Sequence, residues 1–329
     1  MTIHTLRRQI VALLPVVALT VIVGCSAAPA PTLRVGLNPW PGYEFLFLAQ
    51  EKGFYRDEGV SVRLIEFNSL TDARRAYERG QLDAMGTTVI EVLQARDQSS
   101  RSPQIVQVVD YSDGADVILA QPEIKNGASL YGKRVGVELA SLGVYVLARA
   151  LAIHGLKLAD VKTISMDQSS MEEAFQKSEL DAVVTYPPAS IKLLRDDRSN
   201  TIFSTAEISG EVIDVIAVEE NINTVRRDDV AKLLRAFQRA VAYTAQNPAD
   251  AHAIMAAREG ISADEFRSAL NDGIKVLSAA DQAAFFKPGG KLAGVVDASD
   301  RILRETGQLK GADRRSNIAN AAFVEIESK

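Results

Sequence analysis

The chain contains the same series of short sequence patterns twice, about one hundred residues apart. The three matched pairs are LRVGL at 33–37 with KRVGV at 133–137, VRLIEF from Val62 with VKTISM from Val161, and AYERGQLDAM from Ala76 with AFQKSELDAV from Ala174. Their offsets are 100, 99 and 98 residues. Each match is short, and chance similarity between strand–helix units is the alternative explanation. Three matches in one order favour two copies of a βαβαβ unit.

The alternation of short β-branched runs with longer amphipathic stretches predicts an α/β protein with largely parallel sheets flanked by helices. Two further strands are predicted at 103–112 and 116–122, and a returning strand at 213–221. We therefore predict two lobes, with residues 32–119 and 216–329 in lobe one and residues 120–215 in lobe two. Because the chain then crosses twice between the lobes, we expect a hinge and a ligand cleft between them.

The pattern after the returning strand is helical. One apolar stripe of a predicted helix contains Val230, Leu233, Leu234, Phe237 and Val241. Further helices are predicted at 249–258, 262–277 and 296–307.

The N-terminal residues have the features of an export signal. Arg7 and Arg8 precede an uncharged apolar run at 10–24, which is shorter than the about 20 residues of a membrane-spanning helix. We predict a signal peptide at 1–24, with an uncleaved anchor as the alternative. Because IVGCS resembles a bacterial lipobox, Cys25 is expected to carry lipid and residues 25–31 to form a linker. A plain signal peptide is the alternative to this membrane anchor.

The composition argues against several classes of protein. The chain has 37 Lys plus Arg and 42 Asp plus Glu, a formal charge of −5, so nucleic acid is not an expected partner. Cys25 is the single cysteine and there are three scattered histidines, which disfavours Cys-based metal sites and Cys–His nucleophiles. We expect no metal and no cofactor.

Polar and aromatic residues follow the predicted strands at their carboxyl ends, where open α/β sheets bind ligands. The candidate ligand-binding residues are Trp40, Tyr43, Thr87, Thr88, Asp113, Ser141, Leu142, Gly143 and Tyr186. Each has a structural alternative: Trp40 as a cover over the first strand, the threonines as helix caps, and Asp113 in a turn. Hydroxyls, amides and aromatic rings dominate these strand ends, which is typical of a small-molecule pocket. None of the candidates is an obvious general base.

Six segments carry a family resemblance. They are LRVGLNPWPGYE at 33–44, AQEKGFYRDEGVSV at 49–62, GQLDAMGTT at 80–88, DYSDGADVILA at 110–120, LYGKRVGVELASLGVYVLARAL at 130–151 and ELDAVVTYPPA at 179–189. The chain resembles solute-binding proteins of ABC importers, in the nitrate, taurine and sulfonate group that includes binders of pyrimidine precursors. The resemblance implies a type II periplasmic-binding-protein fold that closes on its ligand and delivers it to a membrane permease. It also implies that Trp40, Thr87, Thr88, Ser141, Gly143 and Tyr186 line the cleft.

These features predict a monomeric, non-enzymatic lipoprotein of the cell envelope, facing the periplasm or the exterior. The first ligand candidate is a small organic anion or zwitterion such as taurine or a sulfonate, because hydroxyls and helix N-termini suit an oxyanion. The alternative is a pyrimidine or amine, held by aromatic faces and Asp113. A ligand-sensing lipoprotein and an enzyme like the thiamine-pyrimidine synthases are the other functions considered.

Overall fold

The computed structural model of the protein describes residues 31–195 and 198–324. In this part of the chain the strands form two separate sheets, one of six strands and one of five. The predicted signal peptide and Cys25 lie outside the described residues. Among the helices of the described part, none is both long enough and apolar enough to cross a membrane.

The first sheet has the strand order β11-β4-β10-β3-β1-β2. Its strands are β1 (Leu33–Leu37), β2 (Val62–Glu66), β3 (Ala84–Thr88), β4 (Pro103–Ser112), β10 (Ile213–Glu219) and β11 (Ile274–Val276). Strand β1 pairs in parallel with β2 and β3, whereas β10 pairs antiparallel with β3 and β4. Strand β11 adds an antiparallel edge beside β4.

The second sheet has the order β7-β6-β8-β5-β9. Its strands are β5 (Val117–Ala120), β6 (Arg134–Val137), β7 (Lys162–Ser165), β8 (Ala182–Thr185) and β9 (Asn200–Ser204). Strand β6 pairs in parallel with β7 and β8, and β5 pairs antiparallel with β8 and β9. The arrangement β7-β6-β8 thus corresponds to β2-β1-β3 of the first sheet.

Four of the six strands of the first sheet and four of the five strands of the second run in one direction, so the predicted largely parallel sheets are confirmed, with β10, β11 and β5 as the antiparallel strands. Strands β5 and β10 each follow a crossing between the lobes. Strand β5 therefore runs antiparallel to β8, and β10 runs antiparallel to β3, whose carboxyl ends lie at the cleft. All of β5 lies in the second sheet and all of β10 in the first. The crossings therefore lie at 113–116 and 205–212 rather than at the predicted boundaries after 119 and 215.

The internal repeat extends to an ion pair that occurs in both sheets. Arg34 at the start of β1 binds Asp83 through its backbone amide and its guanidinium. Arg134 at the start of β6 binds Asp181 in the same way. Each aspartate precedes the strand that pairs with the arginine's strand. The two halves therefore share their pairing and also the side chains that fix it.

Helices cover both sheets in the described part of the chain. Their bounds are α1 (Glu44–Glu51), α2 (Phe54–Glu58), α3 (Leu70–Glu78), α4 (Val89–Gln98), α5 (Leu142–Ile153), α6 (Gln168–Gln176), α7 (Ala189–Leu194), α8 (Glu220–Val225), α9 (Arg227–Gln246), α10 (Pro248–Glu259), α11 (Ala263–Ser268), α12 (Ala279–Phe286) and α13 (Lys291–Glu305). Helix α9 buries most of the predicted apolar stripe against α1 and α2, with Leu233 and Phe237 fully buried. Helix α13 contacts both α4 and α5 and so joins the lobes.

The single helix predicted at 262–277 is wrong. Helix α11 ends at Ser268, one wide helical turn covers Ala269–Gly273, and the chain continues as strand β11. Ile274 is buried at the edge of the first sheet, where β11 pairs with β4. A short apolar run fits a helix or a strand equally well, and here the unpaired edge of β4 decides.

Candidate functional site

A small cavity lies between the lobes, at the carboxyl ends of β1, β3 and β8. Its lining residues are Asn38, Trp40, Tyr43, Leu70, Thr88, Asp116, Leu142, Tyr186 and Asp214. The cavity volume is about 10 Å³, room for roughly one water molecule. This cavity is therefore too small for an organic ligand unless the lobes or their side chains move apart at this point.

Two aromatic rings from opposite lobes meet over the cavity. Trp40 follows β1 and is only 4% exposed, and Tyr186 follows β8. Their ring centroids are 6.1 Å apart with an interplanar angle of 75°, an edge-to-face contact that aromatic pairs favour. The side-chain amide of Asn38 donates to the Tyr186 hydroxyl at 3.3 Å. These contacts hold the two lobes together at the site.

Buried carboxylates lie directly behind the aromatic wall. Asp214 in β10 is the register partner of Asp110 in β4 on one side and of Thr88 in β3 on the other. The indole of Trp40 donates to Asp110 at 3.2 Å, and the Tyr43 hydroxyl donates to Asp214 at 2.5 Å. Two carboxylates opposite each other repel when both are ionised. The arrangement therefore favours a shared proton or an added positive charge.

Burial changes the protonation of these acids. It raises the pKa of Asp110 to about 7 and that of Asp116 to about 6. Burial, followed by the charge of Asp110, raises the pKa of Asp214 well above its usual range. One oxygen of Asp110 and one of Asp116 have no hydrogen-bond partner in the described residues. Each acid thus keeps one oxygen that accepts no hydrogen bond from these residues, and for Asp110 a proton shared with Asp214 would satisfy it.

The second lobe contributes a further buried acid, Glu138, which follows β6. Burial raises the pKa of Glu138 to about 8. One carboxylate oxygen accepts from Tyr186 and from Gln168, each at 3.4 Å, and the other has no partner in the described residues. No lysine or arginine is among the nine residues that line the cavity. The immediate surroundings of the cavity are therefore acidic.

Glu91 in α4 connects the lobes at the same place. One of its oxygens accepts from the Ser141 hydroxyl and from the Leu142 amide, both at 2.8 Å. Its other oxygen accepts from the Thr88 hydroxyl. Ser141 is the N-cap residue of α5, yet its own side chain makes no capping bond. The carboxylate of Glu91 caps α5 instead, from the other lobe.

The structure brings five of the sequence-predicted site residues to the cavity: Trp40, Tyr43, Thr88, Leu142 and Tyr186. Thr88 also caps α4 through the Ile90 amide, so both readings of this threonine apply. Ser141 lies behind Leu142 and binds Glu91.

Three other predicted residues do not line the cavity. Thr87 points to the opposite face of β3 from Thr88, since successive strand residues alternate. A Cβ atom at Gly143 would lie 2.9 Å from a methyl group of Val137, so this glycine lets α5 pack closely on β6. Asp113 lies in the first crossing, 3.7 Å from the Lys275 ammonium. The acids that line the cavity are instead Asp116 and Asp214, and Asp110 lies behind them, bonded to Trp40.

Sequence reasoning missed the buried acids. Asp110 and Asp214 each interrupt an apolar strand, PQIVQVVDYS and IDVIAVE, and Glu91 interrupts the apolar start of α4. A single acidic residue within an otherwise apolar strand or helix start is the sequence signal that could have indicated these buried acids. Burying a carboxylate costs free energy, so such a residue points to a specific partner or a site.

Comparison with known sequences identifies the family. The sequence profile of the family described as NMT1/THI5 like matches residues 40–251. A binding protein of Brucella abortus is 30% identical over 176 residues, covering 52% of this chain and 53% of that protein. The chain thus matches about half the length of these curated relatives. The taurine-binding periplasmic protein of Escherichia coli K12 is 22% identical over 286 residues, covering 84% of this chain and 81% of that protein.

A more distant relative is the 4-amino-5-hydroxymethyl-2-methylpyrimidine phosphate synthase of Aspergillus parasiticus, 24% identical over 46% of this chain and 44% of that protein. Among solved structures, the alkanesulfonate-binding protein SsuA of Xanthomonas axonopodis pv. citri, bound to MOPS, superposes with a TM-score of 0.74 at 18% identity, covering 89% of this chain and 99% of that chain. At this identity the similarity shows the fold alone. Because the profile covers more than half of the chain, the protein belongs to the NMT1/THI5-like family and has the two-lobe fold of periplasmic substrate-binding proteins.

Proposed function

We propose that the protein is the solute-binding component of an ABC importer and that it captures a small, positively charged nitrogen compound between its lobes. The relatives named as binding proteins support the first part of this proposal. The export signal and Cys25 support a lipoprotein of the cell envelope, which delivers its ligand to a membrane permease. Such a role needs binding and release and no chemical step.

The observation that carries the choice of ligand is the group of buried carboxylates, Asp110, Asp116 and Asp214, behind aromatic rings. A protonated amine, amidine or aminopyrimidine would donate to the unpartnered oxygen of Asp116 and to Asp214, which both line the cavity. It would also gain from the faces of Trp40 and Tyr186. The synthase among the relatives is named for an aminopyrimidine, which belongs to the same chemical class.

The site chemistry disfavours the organic anion that the sequence suggested first. The hydroxyls of Thr88 and Ser141, which were expected to receive an oxyanion, already donate to Glu91. An anion in the cavity would approach Asp116 and Asp214 with no lysine or arginine among the lining residues. A buried site with two carboxyl groups and no cationic side chain among its lining residues offers an anion no compensating charge, so moving the anion out of water opposes binding.

Binding requires the lobes to open and close. The chain crosses between the sheets twice, at 113–116 and 205–212, and these crossings are the proposed hinge. A cation that touches Asp214 of the first lobe and Tyr186 of the second would favour the closed form, because only that form offers both contacts. The closed form is the one proposed to dock on the permease.

Thermal unfolding of the purified protein with a panel of ligands tests the proposal. The panel contains putrescine, benzylamine and 4-aminopyrimidine, with taurine, ethanesulfonate and nitrate as the anionic set. At about 100 times its Kd, a ligand stabilises a protein by about 2.7 kcal/mol, or several degrees. We expect shifts in the cationic or aminopyrimidine set. Shifts confined to the sulfonates or nitrate would refute the choice of ligand.

A further inference from the structure

Helix α5 begins at the cleft, and a carboxylate of the protein already occupies its N-terminus. The helix spans twelve residues and follows β6 at the carboxyl end of the second sheet. This is the position at which α/β proteins bind the anionic groups of ligands, through backbone amides and the helix dipole. Here the Leu142 amide and the Ser141 hydroxyl both donate to Glu91.

The contacts of Glu91 are the ones a ligand oxyanion would make. Each donor lies 2.8 Å from the same carboxylate oxygen, a normal length for a charge-assisted bond. Thr88 donates to the second oxygen, and the side chain of Glu91 is completely buried. The carboxylate is thus held from both lobes, and neither donor remains available to a ligand.

We propose that Glu91 is a specificity-determining residue, which fills the anion-binding position of the cleft with the protein's own carboxylate and so restricts ligands to cations and neutral hydrogen-bond donors. This inference rests on the binding function proposed above and explains why the same cleft would exclude anions. The Ser141 hydroxyl and the Leu142 amide are the two donors that the Glu91 carboxylate occupies.

The loop before α5 has separate attachments to the first lobe. The carbonyl of Ala140 accepts from the Arg74 guanidinium at 3.3 Å and from the Thr71 hydroxyl at 3.4 Å. Both donors belong to α3 rather than α4. Removal of the Glu91 carboxylate should therefore leave this loop in place with two unoccupied donors facing the space that the carboxylate filled.

The test compares Glu91→Ala with Glu91→Gln by calorimetric titration with acetate and ethanesulfonate. We expect Glu91→Ala to bind these anions about tenfold or more tightly than the wild type does, since a hydrogen bond to a charged group contributes about 1.5–3 kcal/mol. Acetate should also raise the unfolding temperature of this variant. Glu91→Gln keeps a side-chain oxygen that can accept from Ser141 and Leu142 but removes the negative charge. It should show no gain in anion affinity, because the two donors stay occupied. A gain in this variant would instead indicate that charge repulsion by Glu91 excludes anions.

Glu259→Ala is the matched control, because Glu259 is a buried glutamate of α10 that does not line the cavity. It should show no gain in anion binding. A folded Glu91→Ala protein, judged by circular dichroism, that binds anions no better than the wild type would overturn the inference. If Glu91→Ala does not fold, the same titration of Glu91→Ser decides. Failure of the wild type to bind any amine would count against the proposed function alone, since the anion gain is measured separately.

Discussion

The indole nitrogen of Trp40 donates a hydrogen bond to the buried carboxylate of Asp110 at 3.2 Å. This bond fixes the orientation of the Trp40 ring, which forms one wall of the cavity. The same relationship recurs beside it, where the Tyr43 hydroxyl donates to Asp214. In each case an aromatic side chain from the loop after β1 satisfies one oxygen of an acid in a central strand. The acids and the rings thus form a single unit, and a change in either should alter the other.

Replacing Trp40 by phenylalanine tests this unit. Trp40→Phe keeps an aromatic ring but removes the donor to Asp110, so the pKa of Asp110 should rise further and the free energy of unfolding should fall by about 1–3 kcal/mol. Urea unfolding at pH 7 measures the loss. Trp40 is the single tryptophan, so far-UV circular dichroism must follow the transition in the variant. No loss of stability would show that the indole bond to Asp110 is not formed in solution.

Asp214→Asn should weaken binding of a cationic ligand by at least about tenfold, because a bound cation favours ionisation of Asp214 and pairs with the carboxylate that forms, which asparagine cannot supply. The free energy of unfolding should stay constant or increase, since the repulsion with Asp110 is relieved while an oxygen remains for Tyr43. Fluorescence of Trp40 measures both quantities. Asp113→Asn is the matched control, since Asp113 lies outside the cavity and pairs with Lys275. Equal losses of affinity in both variants would contradict the assignment.

The stability of the ligand-free protein should fall as pH rises. Burial raises the pKa of Asp110 to about 7, of Asp116 to about 6 and of Glu138 to about 8, against about 4 in the unfolded chain. Between pH 4 and 8 the folded state therefore binds more protons than the unfolded state, and the stabilisation is lost as pH rises through the folded values.

Urea unfolding at intervals from pH 5.5 to 8 measures this slope. Each fully differing proton contributes about 1.4 kcal/mol per pH unit. Asp110→Asn should reduce the slope, because asparagine does not titrate. Stability that increases over this interval would show that the three acids are not held in the protonated form by burial.

The repeated ion pairs should contribute equally. Asp83→Ala and Asp181→Ala each remove the partner of one arginine guanidinium and of its backbone amide. We expect each to lower the free energy of unfolding by about 1 kcal/mol, and the double variant to show the sum, because separated sites act independently. Urea unfolding of the three variants measures this. A large loss in the free energy of unfolding for only one of the two single variants would show that the two ion pairs do not contribute equally to stability.

The architecture was accessible from sequence because it depends on repeated patterns. The Leu-Asp-Ala segments at Leu82 and Leu180 and the matching strands indicated two copies of one unit, and β2-β1-β3 and β7-β6-β8 have the same pairing. The sequence did not indicate which sheet β5 and β10 join, since an apolar strand can pair in either sheet. Each of these strands joins the sheet that the chain reaches after its crossing, where it pairs antiparallel with β8 or β3.

The site was accessible only in part. Trp40 and Tyr186 follow strands and are large, so their exposure at strand ends could be inferred. Asp113 was chosen because it lies in a loop, but the acids that line the cavity are Asp116 in the crossing and Asp214 in β10. The role of Glu91 depends on a contact between residues 50 positions apart in different lobes. Periodicity reports which face of an element is buried and does not report what meets it there.

The most direct test of the cation-binding cleft is a calorimetric titration of the wild-type protein with benzylamine and, separately, with benzenesulfonate. The two compounds share an aromatic ring and differ in the sign of their charge, so the comparison isolates the carboxylates around the cavity. We expect measurable heat and saturable binding for benzylamine and none for benzenesulfonate. Saturable binding of benzenesulfonate alone would contradict this expectation.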